Sequence, residues 1–295
     1  MKRFFGERTA LVLDGAMGTR LIAKGLALGD PSILWNVDRP DAVWAVHRSY
    51  ADAGSQSLTA NTFGGSPLML ARHGIADRMV ELNSAGVSLA KEAAGGKCLV
   101  MGDIGPAGDF LEPMGDLTET VLRDAVKAQA EVLVSGGVDA LIVETMSDPE
   151  EMRVTIQALK EFGLPVLATF TYERIGDSFK TMMGTTPEQA TKVALEAGAG
   201  AVGANCGTSL SLDDYLLLGE VLTRVAEGAP VILQPNAGSP IATPDGTRYE
   251  TTAAAFGAWA CKALNLGVRV LGGCCGTTEE HIQALAALVA NGKAE

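Results

Sequence analysis

Short apolar runs alternate with longer stretches of helical spacing along almost the whole chain. The runs fall at 10–13, 56–59, 98–101, 140–143, 166–169, 201–204, 231–234 and 268–271. Each is a few residues long and apolar on both parities, the pattern of a strand buried on both faces, as parallel strands are. Between them the clearest helical segments are 78–94, 118–135, 149–162, 187–197, 212–226, 252–266 and 279–290. Two carry a strong start signal. Ser147-Asp148-Pro149-Glu150 and Thr185-Thr186-Pro187-Glu188 each place a capping residue before a proline and an acid. Several end in glycine, at Gly136-Gly137, Gly163, Gly198 and Gly267. Eight strands, a helix after nearly every one and no linker predict one α/β domain over 1–295, a (β/α)8 TIM barrel. An open doubly wound sheet is the alternative, and the regular count of eight favours the closed form.

In such a barrel the chemistry sits at the C-terminal ends of the strands. Polar and reactive residues of this chain gather there: Asp14 to Thr19 after the first strand, Asn61-Thr62-Phe63-Gly64-Gly65 after the second and Asp103 after the third. Glu144-Thr145, Asn205-Cys206-Gly207, Pro235-Asn236-Ala237-Gly238 and Cys274-Cys275 follow strands four, six, seven and eight. Cys206 and the Cys274-Cys275 pair, far apart in sequence, are thereby predicted to share one mouth.

Bulk properties narrow the field. The 295 residues are 47% hydrophobic and 20% charged, ample for a packed core. The net charge of −12 argues against a nucleic-acid partner, which needs clustered Lys and Arg. No apolar run approaches the ~20 residues of a membrane span, and no secretory signal pattern is present. A cytoplasmic protein is expected, in which the five cysteines stay reduced. Cys98 and Cys261 lie in apolar patterns and read as core residues. His47, His73 and His281 fall in or near helical segments rather than at strand ends, and read as packing or surface residues.

Three thiols at the ends of two strands form a donor set for one soft metal ion. Zinc with three protein ligands and an open position is the usual catalytic form. Three thiolates make the ion electron-rich and better suited to binding a fourth thiol than to activating water. That points to alkyl transfer onto a thiol. A closed structural zinc, or cysteines unrelated to one another, are the alternatives.

At these residues the chain resembles the homocysteine S-methyltransferase family. The resemblance covers essentially the whole chain and rests on Asp14-Gly15-Ala16-Met17-Gly18-Thr19, Asn61-Thr62-Phe63, Gly203-Ala204-Asn205-Cys206-Gly207, Pro235-Asn236-Ala237-Gly238 and Gly272-Gly273-Cys274-Cys275-Gly276-Thr277. It implies zinc on Cys206, Cys274 and Cys275, with homocysteine as methyl acceptor and methionine as product. It implies that Asn236 is an oxygen ligand displaced by substrate. It further implies that backbone groups of Gly15, Ala16 and Met17 receive the substrate carboxylate. Glu144 would accept the ammonium with Asp14 close by, and Asn205 would join the substrate site.

The methyl donor is less legible. A quaternary ammonium needs an aromatic cage, yet Thr145 stands beside the strand-four acid and Phe63-Gly64-Gly65 follows strand two. Trp35, Trp44, Phe110, Tyr172 and Tyr249 could build a different cage. Two routes are expected: a small sulfonium or ammonium donor bound directly, or a methylated corrinoid protein supplied as a separate chain. A different thiol acceptor and a non-enzymatic zinc- or thiol-binding barrel stay open, as does the oligomeric state.

Overall fold

A computed structural model of the chain describes residues 10–243 and 246–290. Its centre is an eight-stranded parallel sheet: β1 Leu11–Val12, β2 Ser57–Thr59, β3 Leu99–Ile104, β4 Ala140–Met146, β5 Val166–Phe170, β6 Ala201–Cys206, β7 Val231–Pro235 and β8 Val270–Leu271. From β2 to β8 each strand pairs with the next, and β8 pairs with β1. The helix following each strand covers the outside: α1 Pro40–Asp52, α2 Met79–Ala94, α3 Glu119–Ser135, α4 Pro149–Leu159, α5 Pro187–Ala197, α6 Leu212–Val225, α7 Ala253–Asn265 and α8 Glu279–Ala290. All eight predicted strands occur, and the predicted (β/α)8 barrel is the fold.

Only the β1–β2 seam lacks a regular ladder, and side chains close it. The Gln56 N–H donates to Val12 O at 2.8 Å, and the Gln56 Oε1 takes the Val12 N–H at 3.0 Å. Above them Asp14 receives the Thr59 N–H at 2.7 Å and the Thr59 hydroxyl at 2.9 Å, one on each oxygen. Asp14 therefore does for the backbone what a strand partner would have done.

Two apolar layers follow from the two-residue period of a strand. Leu11, Leu13, Met101, Ala140, Ile142, Leu167, Ala201, Ile232 and Val270 fill the barrel interior. Alternate residues such as Val12, Val100, Leu141, Val143, Ala168, Val202 and Leu233 pack outward beneath the helices. The inward files end in polar groups at the C-terminal rim: Met101 leads to Asp103, Ala140 and Ile142 to Glu144, and Ile232 to Gln234.

Helix starts obey the sequence signals. Asp148 caps the Glu150 N–H at 2.8 Å, and Thr186 forms a capping box with Gln189. Helix α1 begins at a proline and buries Val43, Val46, His47 and Tyr50 on one face. Among the described residues no helix is long and apolar enough to cross a membrane.

His47 is fully buried with neither ring nitrogen bonded, so burial pushes its pKa from 6.5 to about 4. Between those values the unfolded chain carries a proton that the fold does not. The stability His47 contributes is therefore complete above pH 6.5 and is lost as pH falls toward 4. We expect wild type to lose ground to His47→Leu over this window by up to about 3 kcal/mol. Parallel melting-temperature curves for the two proteins from pH 7 to 4 would show that His47 is not held neutral.

Candidate active site

The strand ends surround a cavity of about 330 Å³. Its wall holds Asp14 and the following loop through Thr19, Asp103, Glu144 with Thr145, Gln234, and the three cysteines Cys206, Cys274 and Cys275. The three sulfurs lie within 4.8 Å of one another, and Cys275 Sγ is 4.0 Å from each of the other two. Tetrahedral zinc–thiolate bonds of 2.3 Å would set sulfurs about 3.8 Å apart, so a metal needs shifts of only tenths of an ångström. The donor set and spacing fit a zinc ion. The two sulfur neighbours hydrogen-bond to Cys275 and hold its thiol down at about 3, against burial. One thiolate is thus already favoured in the cluster.

The backbone that carries the sulfurs is built for them. Cys206 sits at φ 58°, a left-handed conformation that costs a non-glycine residue roughly 1 kcal/mol or more. Tyr215 locks it by donating to Cys206 O at 2.6 Å, and Asn236 donates to Gly207 O at 2.7 Å. The Cys274-Cys275 turn hangs between two strand ends: Cys274 N–H donates to Pro235 O, and Ala237 N–H donates to Cys275 O, both at 2.9 Å. Gly276, at φ 79°, has no room for a side chain because the Tyr249 ring lies against it. The Tyr249 side chain also favours the thiolate of Cys275. Thr277 joins this turn to the first loop, accepting the Ala16 N–H at 3.0 Å and donating to Cys274 O at 2.7 Å. A side chain on Gly15 would meet Thr277 and Tyr50 at 2.8–2.9 Å, so that glycine serves close approach rather than a turn.

The charge in the cavity is one-sided. Asp14, Asp103 and Glu144 line it with the three sulfurs, and no Lys, Arg or His among the described residues does. Burial raises the carboxyl of Asp14 to about 7 and that of Glu144 to about 8, the latter helped by the neighbouring Cys206 and Asp14 charges. Asp103 is raised well above the usual range by burial, then by Glu144 and Asp14. Anionic groups crowded in a low-dielectric site favour cations.

Most of the residues singled out in sequence converge here, with three differences. The Ala16 N–H is taken by Thr277, whereas the N–H groups of Gly15 and Met17 meet no acceptor among the described residues. Asn205 stands in the wall rather than on the cavity surface. Its Oδ1 accepts the Thr145 N–H and the Thr169 hydroxyl, both at 2.9 Å, and its Nδ2 donates to Thr145 Oγ1 at 2.7 Å. It thereby holds Thr145 at φ 61°, immediately after Glu144. Asn236 also stands behind the lining, with its Oδ1 buried and unbonded. Phe63 is the one aromatic ring among the lining residues. Trp35 instead stacks under Arg39 at 4.8 Å, and Tyr172 is buried in the core. The histidines stay outside the cluster, as read: His281 bonds Thr278 and Thr251 O.

Comparison with known proteins agrees with this geometry. A family model described as homocysteine S-methyltransferase matches residues 11–289. Methionine synthase of Mycobacterium tuberculosis is 34% identical over 97% of the chain, which spans only 25% of that protein's length. Betaine–homocysteine S-methyltransferase 1 of Bos taurus is 32% identical over 94% of the chain and 71% of the relative. The solved homocysteine methyltransferase MmuM of Escherichia coli, in its oxidized form, superposes with a TM-score of 0.77 at 26% identity, covering 97% of this chain and 98% of that one.

Proposed function

The chain belongs to the homocysteine S-methyltransferase family, and from that premise we propose that it moves a methyl group from a small cationic donor to the sulfur of homocysteine, giving methionine. The observation that carries this reading is the juxtaposition of three cysteine sulfurs with carboxylates in one small cavity that no basic side chain among the described residues lines. Cys206, Cys274 and Cys275 would hold zinc, and Asn236 Oδ1, which is buried and unbonded, would complete the set in the absence of substrate. When bound, zinc supplies an open position that lowers the pKa of a ligand thiol into the neutral range.

The rest of the chemistry belongs to the chain. Glu144 takes the substrate ammonium, because no hydrogen-bond donor among the described residues reaches its carboxylate. The free N–H groups of Gly15 and Met17 take the substrate carboxylate. Fixing both ends of the amino acid leaves its sulfur one direction in which to meet a donor methyl, and this alignment is worth a large factor in a displacement reaction. The enclosed walls exclude water that would compete for the methyl group.

Phe63 alone does not make an aromatic cage. A sulfonium donor therefore fits the cavity better than a quaternary ammonium, whose recognition relies on several rings. A second reading, transfer from a separate corrinoid protein, is favoured by one feature. Exposed apolar residues ring the mouth on the strand-to-helix loops, among them Ile22, Leu28, Phe63, Phe110, Met114 and Met182.

A donor screen tests the reading. Zinc-loaded protein and homocysteine are offered S-methylmethionine, dimethylsulfoniopropionate, S-adenosylmethionine, betaine and methylcobalamin in turn, and methionine is quantified. Methionine from a sulfonium is expected. Methionine from methylcobalamin alone would favour the corrinoid route. None from any donor would move the acceptor to another thiol or end the enzymatic reading.

A further inference from the structure

Beside the acidic cavity lies a groove with the opposite lining. It encloses about 900 Å³ between the stretch from Thr19 to Leu28 and the stretch from Thr247 to Tyr249. Arg20, Lys24 and Arg248 line it, and no Asp or Glu among the described residues does. This runs against the composition, since the chain has 35 Asp and Glu against 23 Lys and Arg.

Two of the cations are held by acids that stand outside the groove. Arg20 Nη1 meets Glu279 at 2.6 Å, and Arg248 Nη2 meets Glu250 at 2.6 Å. A guanidinium carries five N–H donors, so each fork keeps donors for a further acceptor. Lys24, the third cation, is exposed. The groove also has an apolar side, with Ile22 and Leu28 exposed and Leu26 buried. Thr19 and Gly276 belong to its lining as well. The Gly276 N–H donates to Thr19 Oγ1 at 3.0 Å, which ties the first loop to the cysteine turn.

Like charges gathered on one concave surface repel one another, and an anion among them removes that repulsion. Arginine forks suit the oxygens of a carboxylate, phosphate or sulfonate. Exposed isoleucine and leucine add an apolar contact. The volume is that of a small-molecule site. Thr19 is the one described residue that lines both this groove and the catalytic cavity.

We propose that the groove is a second small-molecule site, one that takes an organic anion with an apolar body and is separate from the site of the two reacting substrates. Its occupant rests on Thr19 and Gly276, and so touches the first loop and the cysteine turn from outside the catalytic cavity.

The test uses two fluorescent probes on the zinc-loaded full chain. 8-Anilinonaphthalene-1-sulfonate is an anion with an apolar body, and N-phenyl-1-naphthylamine has the same rings without the sulfonate. Lys24→Gln combined with Arg248→Gln should weaken the sulfonate by about 5- to 20-fold and leave the amine within about twofold, because each lost charge at an exposed position accounts for a few-fold. Lys24→Gln alone should weaken the sulfonate by about two- to fivefold. Lys97→Gln, which removes a cation ahead of β3 at the other end of the barrel, should change neither probe. Equal weakening of both probes would mean that only the apolar wall has changed. No change in either would place the sulfonate elsewhere, and both results overturn the proposal. Saturating homocysteine should leave the affinity for the sulfonate within about twofold; competition would put the probe in the catalytic cavity and end the claim of a separate site. A chain that binds no homocysteine yet keeps the charge-dependent binding of the sulfonate would remove the acceptor reading and leave the groove standing.

Discussion

Replacing any one of Cys206, Cys274 or Cys275 with alanine is expected to remove bound zinc and methyl transfer together while leaving the barrel folded. Two thiolates are too few for a stable zinc site at neutral pH, and structural or catalytic zinc is held by at least three protein ligands. Without the metal, the acceptor thiol keeps an ordinary pKa near 8.5 and loses its anchor, so turnover should fall by about a thousandfold or more. The fold should survive because all three side chains are only partly buried and sit above the apolar interior layers. Position 206 adds a discriminating variant. Its φ of 58° favours glycine, so Cys206→Gly should be more stable than Cys206→Ala by about 1 kcal/mol. Both should be inactive and metal-free. Zinc per chain, turnover and melting temperature are measured on the same preparations. A variant without zinc that turns over at the wild-type rate would dissociate the cluster from catalysis. A variant that keeps one zinc per chain but is inactive would place that cysteine in the chemistry rather than in metal binding.

The barrel and the cysteine cluster were both legible in the sequence for the same reason. Buried parallel strands announce themselves as short apolar runs, and once eight are counted, topology alone brings 206, 274 and 275 to one rim. Asp103 carried a readable signal as well, since Leu99, Met101 and Asp103 share a parity, but parity does not disclose that its Oδ1 is buried without a partner. What stayed hidden depended on contacts between distant segments. Asp14 reads as a substrate acid, and the sequence does not disclose that Thr59 also donates to each of its oxygens. Asn205 reads as a cavity residue until Thr145 and Thr169 are seen to consume its amide. The hairpins Glu173–Ile175 with Ser178–Lys180 and Ile241–Thr243 with Gly246–Arg248 are too short and polar to show a period. Tyr249 follows the second of these, and its influence on Cys275 could not be inferred from spacing.

Glu144→Gln is expected to raise the homocysteine KM by about 30- to 1000-fold, with the donor KM changed by no more than about threefold. The size follows from what is removed. A half-buried carboxylate facing an ammonium in a cavity that no Lys, Arg or His among the described residues lines makes a charge-assisted interaction, and truncating one member of such a pair costs about 2–4 kcal/mol. Glutamine keeps the shape and one acceptor oxygen but turns an NH2 group toward the ammonium, so part of the loss is repulsion. The split between the two substrates follows from position. Glu144 ends the inward file of β4, and Asn205 holds the next residue, Thr145, in its left-handed turn, so the carboxylate is held rigidly in the cavity wall. A donor cation drawn merely by the negative potential of the cavity would lose affinity in the same variant. Steady-state kinetics with each substrate varied at saturation of the other separates these cases. A homocysteine-selective rise assigns Glu144 to the acceptor ammonium. Equal rises in both KM values would mean that Glu144 sets only the general field, and a selective rise for the donor would place the methyl cation, rather than the amino acid, beside Glu144.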